Sequence, residues 1–149
     1  FNQYLEKGSL SLFEGSGGYD NGEQLRDFVY VDDVVKVNLF LLNHPEVSGS
    51  FLNVGTGQCQ SFNDVAMAVI NSLNEIQDKP RVSREEAVAT GLLRYIPMPV
   101  ALHGKYQSYT QADIGALRAS GFADGFADVD EGVGRYVQHL WQQRQSSTS

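Results

Sequence analysis

The 149 residues suffice for one domain with a buried core, and 42% hydrophobic with 19% charged residues is ordinary globular composition. A net charge of −7 and a sequence pI near 4.8 argue against duplex DNA or an anionic membrane surface as a partner, since both are polyanions. The single cysteine, Cys59, excludes an intrachain disulfide, no apolar run is long enough to span a membrane, and a chain that opens on Phe1 is expected to begin in mid-protein.

Residues 1–9 read as the end of a helix closed by Gly8, and residues 9–13 alternate as a short strand would. The glycine-rich stretch 15–22 is a loop, and residues 28–31 form a brief β-prone run. Asp32 is placed to cap a helix starting near Asp33, with Val34, Val37, Leu41 and Leu42 at helical spacing. Residues 51–54 read as a strand that ends at Gly55-Thr56-Gly57. Ser61 and Asp64 stand in capping-box positions, with Asp in place of the usual Glu or Gln. Phe62, Val65, Ala66, Val69, Ile70 and Leu73 follow as the clearest amphipathic stripe in the chain. Ser83 with Glu86 caps a shorter helix, and residues 92–96 read as a strand stopped by Pro97 and Pro99. Thr110 and Asp113 are expected to open a helix ending at Gly121. Asp128 with Glu131 opens the last one, whose stripe is Val133, Tyr136, Val137, Leu140 and Trp141. Residues 142–149 are expected to be a polar tail following one unit over 1–141.

Little of this chain is suited to catalysis. Gly55-Thr56-Gly57 lacks the third glycine of a dinucleotide turn, because Gln60 stands there, so no cofactor-binding residue is assigned. Its three histidines are far apart and nothing has metal-ligand spacing with Cys59. None of the seven tyrosines is followed four residues later by lysine, so the Tyr-x-x-x-Lys proton-transfer pair of short-chain dehydrogenases is missing and no catalytic residue is assigned. What remains is a binding pattern in three segments. Phe13-Glu14-Gly15-Ser16-Gly17-Gly18 offers an aromatic face, a carboxylate, a hydroxyl and free N–H groups, suited to a nucleobase or ribose, although alone it reads as a loop. Arg26 has the fork geometry to grip a diphosphate, or pairs with Asp27 on the surface. Residues 103–111 gather cation, phenol and amide groups before a helix, suited to an anion or polyol, or simply serve to start that helix.

Four motifs together resemble the extended short-chain dehydrogenase/reductase superfamily and, within it, the ADP-glyceromanno-heptose 6-epimerase family. They are Leu12-Phe13-Glu14-Gly15-Ser16, residues 26–34 (RDFVYVDDV), residues 51–57 (FLNVGTG), and residues 95–99 (YIPMP) followed by 104–113 (GKYQSYTQAD). The second and third name the superfamily; the first and fourth narrow it. The resemblance implies an α/β fold: the C-terminal part of an extended Rossmann-type enzyme, comprising the last strands and helices of its sheet and the small substrate-binding domain. It implies a cytoplasmic isomerase that inverts C6 of an ADP-heptose for lipopolysaccharide core synthesis, by transient oxidation with NADP. It further implies that Phe13, Glu14, Gly15 and Ser16 bind the nucleotide end of the ADP-sugar, that Arg26 holds the diphosphate and that Tyr106 contacts the substrate. The family's NADP turn, its Tyr-x-x-x-Lys pair and its second catalytic lysine all precede the matched region, so the 149 residues alone are expected to be inactive. They are also expected to expose the apolar surface that faces the other half, with poor solubility or oligomerisation as the outcome. A homo-oligomer is expected, a pentamer in the resembled family. The alternatives are an extended-family enzyme acting on UDP- or dTDP-sugars and a non-catalytic nucleotide-sugar-binding half-protein.

Overall fold

The computed structural model describes residues 1–47, 51–102 and 105–147. The elements in chain order are α1 (Asn2–Lys7), β1 (Leu10–Phe13), β2 (Leu25–Arg26), α2 (Val31–Asn43), β3 (Gln60–Ser61), α3 (Phe62–Ile76), α4 (Arg84–Ala89), β4 (Leu93–Ile96), α5 (Gly115–Ala119) and α6 (Val129–Ser146), with short 3-10 turns at Pro45–Val47 and Val100–Leu102. β1 and β4 pair in parallel with Leu10 opposite Leu93 and Phe13 opposite Ile96. The crossover between them carries α2 and α3, a connection of the kind that parallel strands require. β2 and β3 pair antiparallel, and residues 108–110 run alongside β2 through Leu25 N–H to Ser108 O, Thr110 N–H to Leu25 O and Asp27 N–H to Thr110 O.

α3 organises the main core. Ser61 accepts from Asp64 N–H while the Asp64 carboxylate accepts from Ser61 N–H, the reciprocal cap that its sequence signals. The stripe that follows packs against α6 and the β1–β4 pair, burying Leu10, Ala66, Val69, Ile70, Leu73, Ala87, Leu93 and Val137 together. Ser83 and Glu86 close an equivalent cap on α4, and Asp128 accepts from Glu131 N–H to start α6. A smaller core of Val37, Leu117 and Phe122 lies under α2, flanked by Phe40, Leu52 and Val54.

Several expectations are corrected. Residues 28–31 form no strand: pairing of that segment stops at Asp27, Phe28 turns onto the Phe62 ring 5.4 Å away, and α2 already begins at Val31. Asp32 does not cap α2, because Tyr30 occupies that position. Asp32 and Asp33 sit in the first turn, where negative charge meets the positive end of the helix. Asp33 is buried, accepting from Ala127 N–H at 2.8 Å and pairing with the Lys36 ammonium at 2.7 Å. Burial pushes its carboxyl up, but those two partners hold it below the usual carboxylate range. Residues 51–54 have no ladder partner among the described residues; Leu52 and Val54 pack on the smaller core instead. Thr110 and Asp113 do not open a helix, because residues 108–112 are held extended beside β2 and Asp27, and α5 is a short helix starting at Gly115. Tyr136 is 50% exposed rather than part of the α6 stripe, and α6 continues to Ser146 through residues assigned to the tail.

One face of α2 is apolar and exposed. Val31, Val35, Leu39 and Leu42 recur at four, four and three residues along α2 and all are exposed, Leu42 to 76%. A second open apolar depression is lined by Phe28, Val29, Val65, Val133 and Leu140.

Candidate nucleotide-sugar cleft

The loop that leaves β1 returns on itself before β2. Gly22 N–H donates to Phe13 O at 3.2 Å and Gly15 N–H donates to the Asn21 side-chain oxygen at 2.8 Å, which closes residues 13–22 into a compact loop. Gln24, with only 2% of its surface exposed, aims its amide N–H2 into the loop, toward Glu14 O at 3.2 Å and Ser16 Oγ at 3.3 Å. Glu14, Gly15, Ser16 and Gly17 line one wall of a cleft of about 580 Å³. Pro97 and Met98 beyond β4, with Tyr106 and Ser108, line the other.

The three candidate segments therefore meet. Phe13 and Tyr106 are in edge contact at 6.2 Å, and the Arg26 guanidinium lies 5.3 Å from the Tyr106 ring and 5.8 Å from Phe62. Half-buried against these two adjoining aromatic rings, the guanidinium is restrained in orientation and partly desolvated. One of its nitrogens donates to Leu25 O at 2.8 Å, and among the described residues its other N–H groups have no hydrogen-bond acceptor. Glu14 and Gly15 are exposed on the cleft wall, and Phe13, Ser16 and Tyr106 are half-buried. Of the segment 103–111, His103 and Gly104 lie outside the described residues.

Arg26 does not pair with Asp27. The Asp27 carboxylate accepts from Thr56 N–H at 2.7 Å, Thr56 Oγ1 at 2.6 Å, Gly57 N–H at 2.9 Å and Ala112 N–H at 3.1 Å. Burial pushes this carboxyl up, but the four hydrogen bonds outweigh it and hold it below the usual carboxylate range. The arrangement also decides what the Gly55-Thr56-Gly57 turn can hold. The Thr56 and Gly57 N–H groups that would face a cofactor phosphate point into Asp27, and a Cβ on Gly55 would stand 2.5 Å from Ala112 Cβ and 2.8 Å from Asp27 Oδ2. The turn ties three segments together and does not fit a dinucleotide phosphate. Among the described residues no cluster of His, Cys, Asp and Glu has the geometry to hold a metal ion.

Sequence reasoning missed the contacts of Phe62, Gln24 and Asn63, the last buried beneath the loop with its amide donating to Asn21 O at 2.9 Å. Phe62 is legible only as the first residue of an amphipathic helix, with nothing to show that Arg26 stacks on it. Gln24 and Asn63 are ordinary polar residues whose burial depends on tertiary packing.

Comparison with known proteins agrees with this architecture. Residues 2–55 match the model of the NAD dependent epimerase/dehydratase family. Over 142 residues, 95% of the chain, the sequence is 54% identical to an ADP-L-glycero-D-manno-heptose-6-epimerase of Thiobacillus denitrificans, 42% of whose length is covered. A solved structure of TunA, an NAD dependent NDP-hexosamine 5,6-dehydratase involved in tunicamycin biosynthesis, superimposes with a TM-score of 0.59. It is 29% identical, and the match covers 95% of this chain and 38% of that one. The chain thus spans about two fifths of the length of these relatives. Nearly the whole chain is similar to part of an epimerase and part of a dehydratase, residues 2–55 match the NAD dependent epimerase/dehydratase family model, and the mixed α/β fold with its parallel strand pair is consistent with the C-terminal portion of an extended short-chain dehydrogenase/reductase.

Proposed function

We propose that the chain is the substrate-binding portion of a nucleotide-sugar epimerase that converts ADP-D-glycero-β-D-manno-heptose to its L-glycero form, a cytoplasmic step toward the lipopolysaccharide core. The observation that carries the reading is the Arg26 guanidinium, packed against the adjoining Phe62 and Tyr106 rings, the second of which lines the cleft together with Glu14–Gly17. A cation packed against two rings, near a loop that carries a carboxylate and a hydroxyl, suits a diphosphate joined to a nucleoside. In this reading residues 13–16 take the nucleotide end, Arg26 the diphosphate, and Tyr106 the sugar side.

The chain's part in the reaction is to hold and orient. Binding energy from the nucleotide and diphosphate, remote from the reacting carbon, positions the sugar for chemistry. Proton transfer and the nicotinamide cofactor, NADP in the resembled family, belong to residues outside this chain, in the same polypeptide or in a homo-oligomer. Isothermal titration with ADP and UDP tests the reading. ADP binds more tightly than UDP, and Arg26→Ala weakens ADP by about 1.5–3 kcal/mol, the value of hydrogen bonds to a charged group. A preference for UDP moves the assignment to another extended-family enzyme, and unchanged ADP affinity in the variant removes Arg26 from the site.

A further inference from the structure

A polar network centred on α3 reaches the cleft wall through a single residue, Asn21. Asn63, in the first turn of α3, is 98% buried, being 2% exposed. Its amide N–H2 donates to Asn21 O at 2.9 Å and to the Glu23 carboxylate at 2.8 Å, while its side-chain oxygen accepts from the Tyr95 hydroxyl at 2.8 Å. Its backbone N–H donates to Gly22 O at 3.0 Å. Glu23 is also paired with Arg84 at the start of α4. The side chain fits closely: Gly22 has φ +68°, and a Cβ there would stand 2.5 Å from the Asn63 oxygen. So α3, α4 and β4 converge through one amide on the return limb of the loop. Asn21, which that amide holds by its carbonyl, in turn accepts from Gly15 N–H in the cleft wall.

We infer that Asn63 is a positioning residue for the nucleotide end of the substrate: through Asn21 it fixes the conformation in which Gly15 and Ser16 meet the ligand. This rests on the nucleotide-binding reading above. Arg26 lies outside the network, on β2 against Phe62 and Tyr106, so the diphosphate contact does not depend on it. A preorganised loop binds without an ordering cost at the moment of association, and a loosened one meets that cost each time.

The test is titration of the 149-residue chain with two probes, ADP and inorganic pyrophosphate, for wild type, Asn63→Ala and Tyr95→Phe. Asn63→Ala raises the ADP dissociation constant about tenfold, roughly one ordering term of this size, and leaves pyrophosphate within about twofold. Tyr95→Phe, which removes only the donor that orients the amide, produces a smaller change of the same selectivity and keeps the test sound if Asn63→Ala folds poorly. Amide hydrogen exchange across residues 15–24 rises in both variants, without a matching rise in α3. Equal loss of both probes in Tyr95→Phe marks a general structural role and overturns the inference. Unchanged ADP affinity in both variants overturns it as well. If wild type binds pyrophosphate but not ADP, or neither, the nucleotide-binding reading itself fails, and that outcome is distinct from the other two.

Discussion

Replacing Asp27 with Asn removes one charge and one acceptor at the junction of the 25–27, 55–57 and 110–113 segments while keeping the shape. If Asn keeps its oxygen at the Oδ1 position, Thr56 N–H and Oγ1 stay satisfied, and an N–H2 group then faces Gly57 N–H and Ala112 N–H, 2.9 and 3.1 Å from the present Oδ2. Two donors left without an acceptor cost about 1–3 kcal/mol each, and partial relaxation brings the sum to about 3 kcal/mol. For a chain of this length that is a fall in Tm of about 6–12 °C. The same group sets a pH dependence. Its folded pKa lies below the unfolded value, near 3.9, so its contribution is complete above about pH 5 and is lost as pH falls through the folded value. Urea denaturation of wild type and Asp27→Asn at pH 7 and again near pH 3 therefore gives a difference that shrinks on acidification. A difference below about 0.5 kcal/mol at pH 7, or one that does not change with pH, refutes the four-bond account.

Leu73→Ala empties a fully buried position between α3 and α6 and costs about 2–5 kcal/mol by denaturant unfolding. Ser61→Ala removes the capping hydroxyl from α3 and costs about 1 kcal/mol by the same measurement, with loss of helical circular dichroism only near the transition. The paired change Val35→Lys with Leu39→Glu on the exposed stripe of α2 lowers dye binding by apolar surface and reduces self-association in light scattering, and leaves Tm within a few degrees.

Much of the fold is legible in the sequence because its signals are local. The Ser61–Asp64 and Ser83–Glu86 caps, Gly8 at the end of α1 and the α3 stripe each depend on residues within one or two turns of one another. Expectations fail at residues 28–31, which are drawn onto Phe62 and into α2, at residues 51–54, whose Leu52 and Val54 pack on the smaller core, and at residues 110–113. In the last of these the backbone groups are claimed by partners distant in sequence, Thr110 by Asp27 and Ala112 by the Asp27 carboxylate, so local propensity does not decide the conformation. The site divides in the same way. Phe13, Glu14, Gly15, Ser16, Arg26 and Tyr106 can be singled out by residue type and by motif; Glu14, Gly15, Ser16 and Tyr106 line the cleft, and Phe13 and Arg26 touch Tyr106. Phe62, Gln24 and Asn63 gain their contacts only from tertiary packing and carry no signature of their own.

The central claim, that residues 13–16, 26 and 106 form one nucleotide-sugar site, is tested most directly by amide and side-chain NMR of the chain titrated with ADP. The account predicts saturable shifts concentrated at residues 13–17, Arg26, Tyr106 and Ser108, with the Arg26 guanidinium protons moving furthest and all of them lost in Arg26→Ala. Shifts centred instead on the 55–57 turn, or an absence of saturable shifts at the cleft, contradict it.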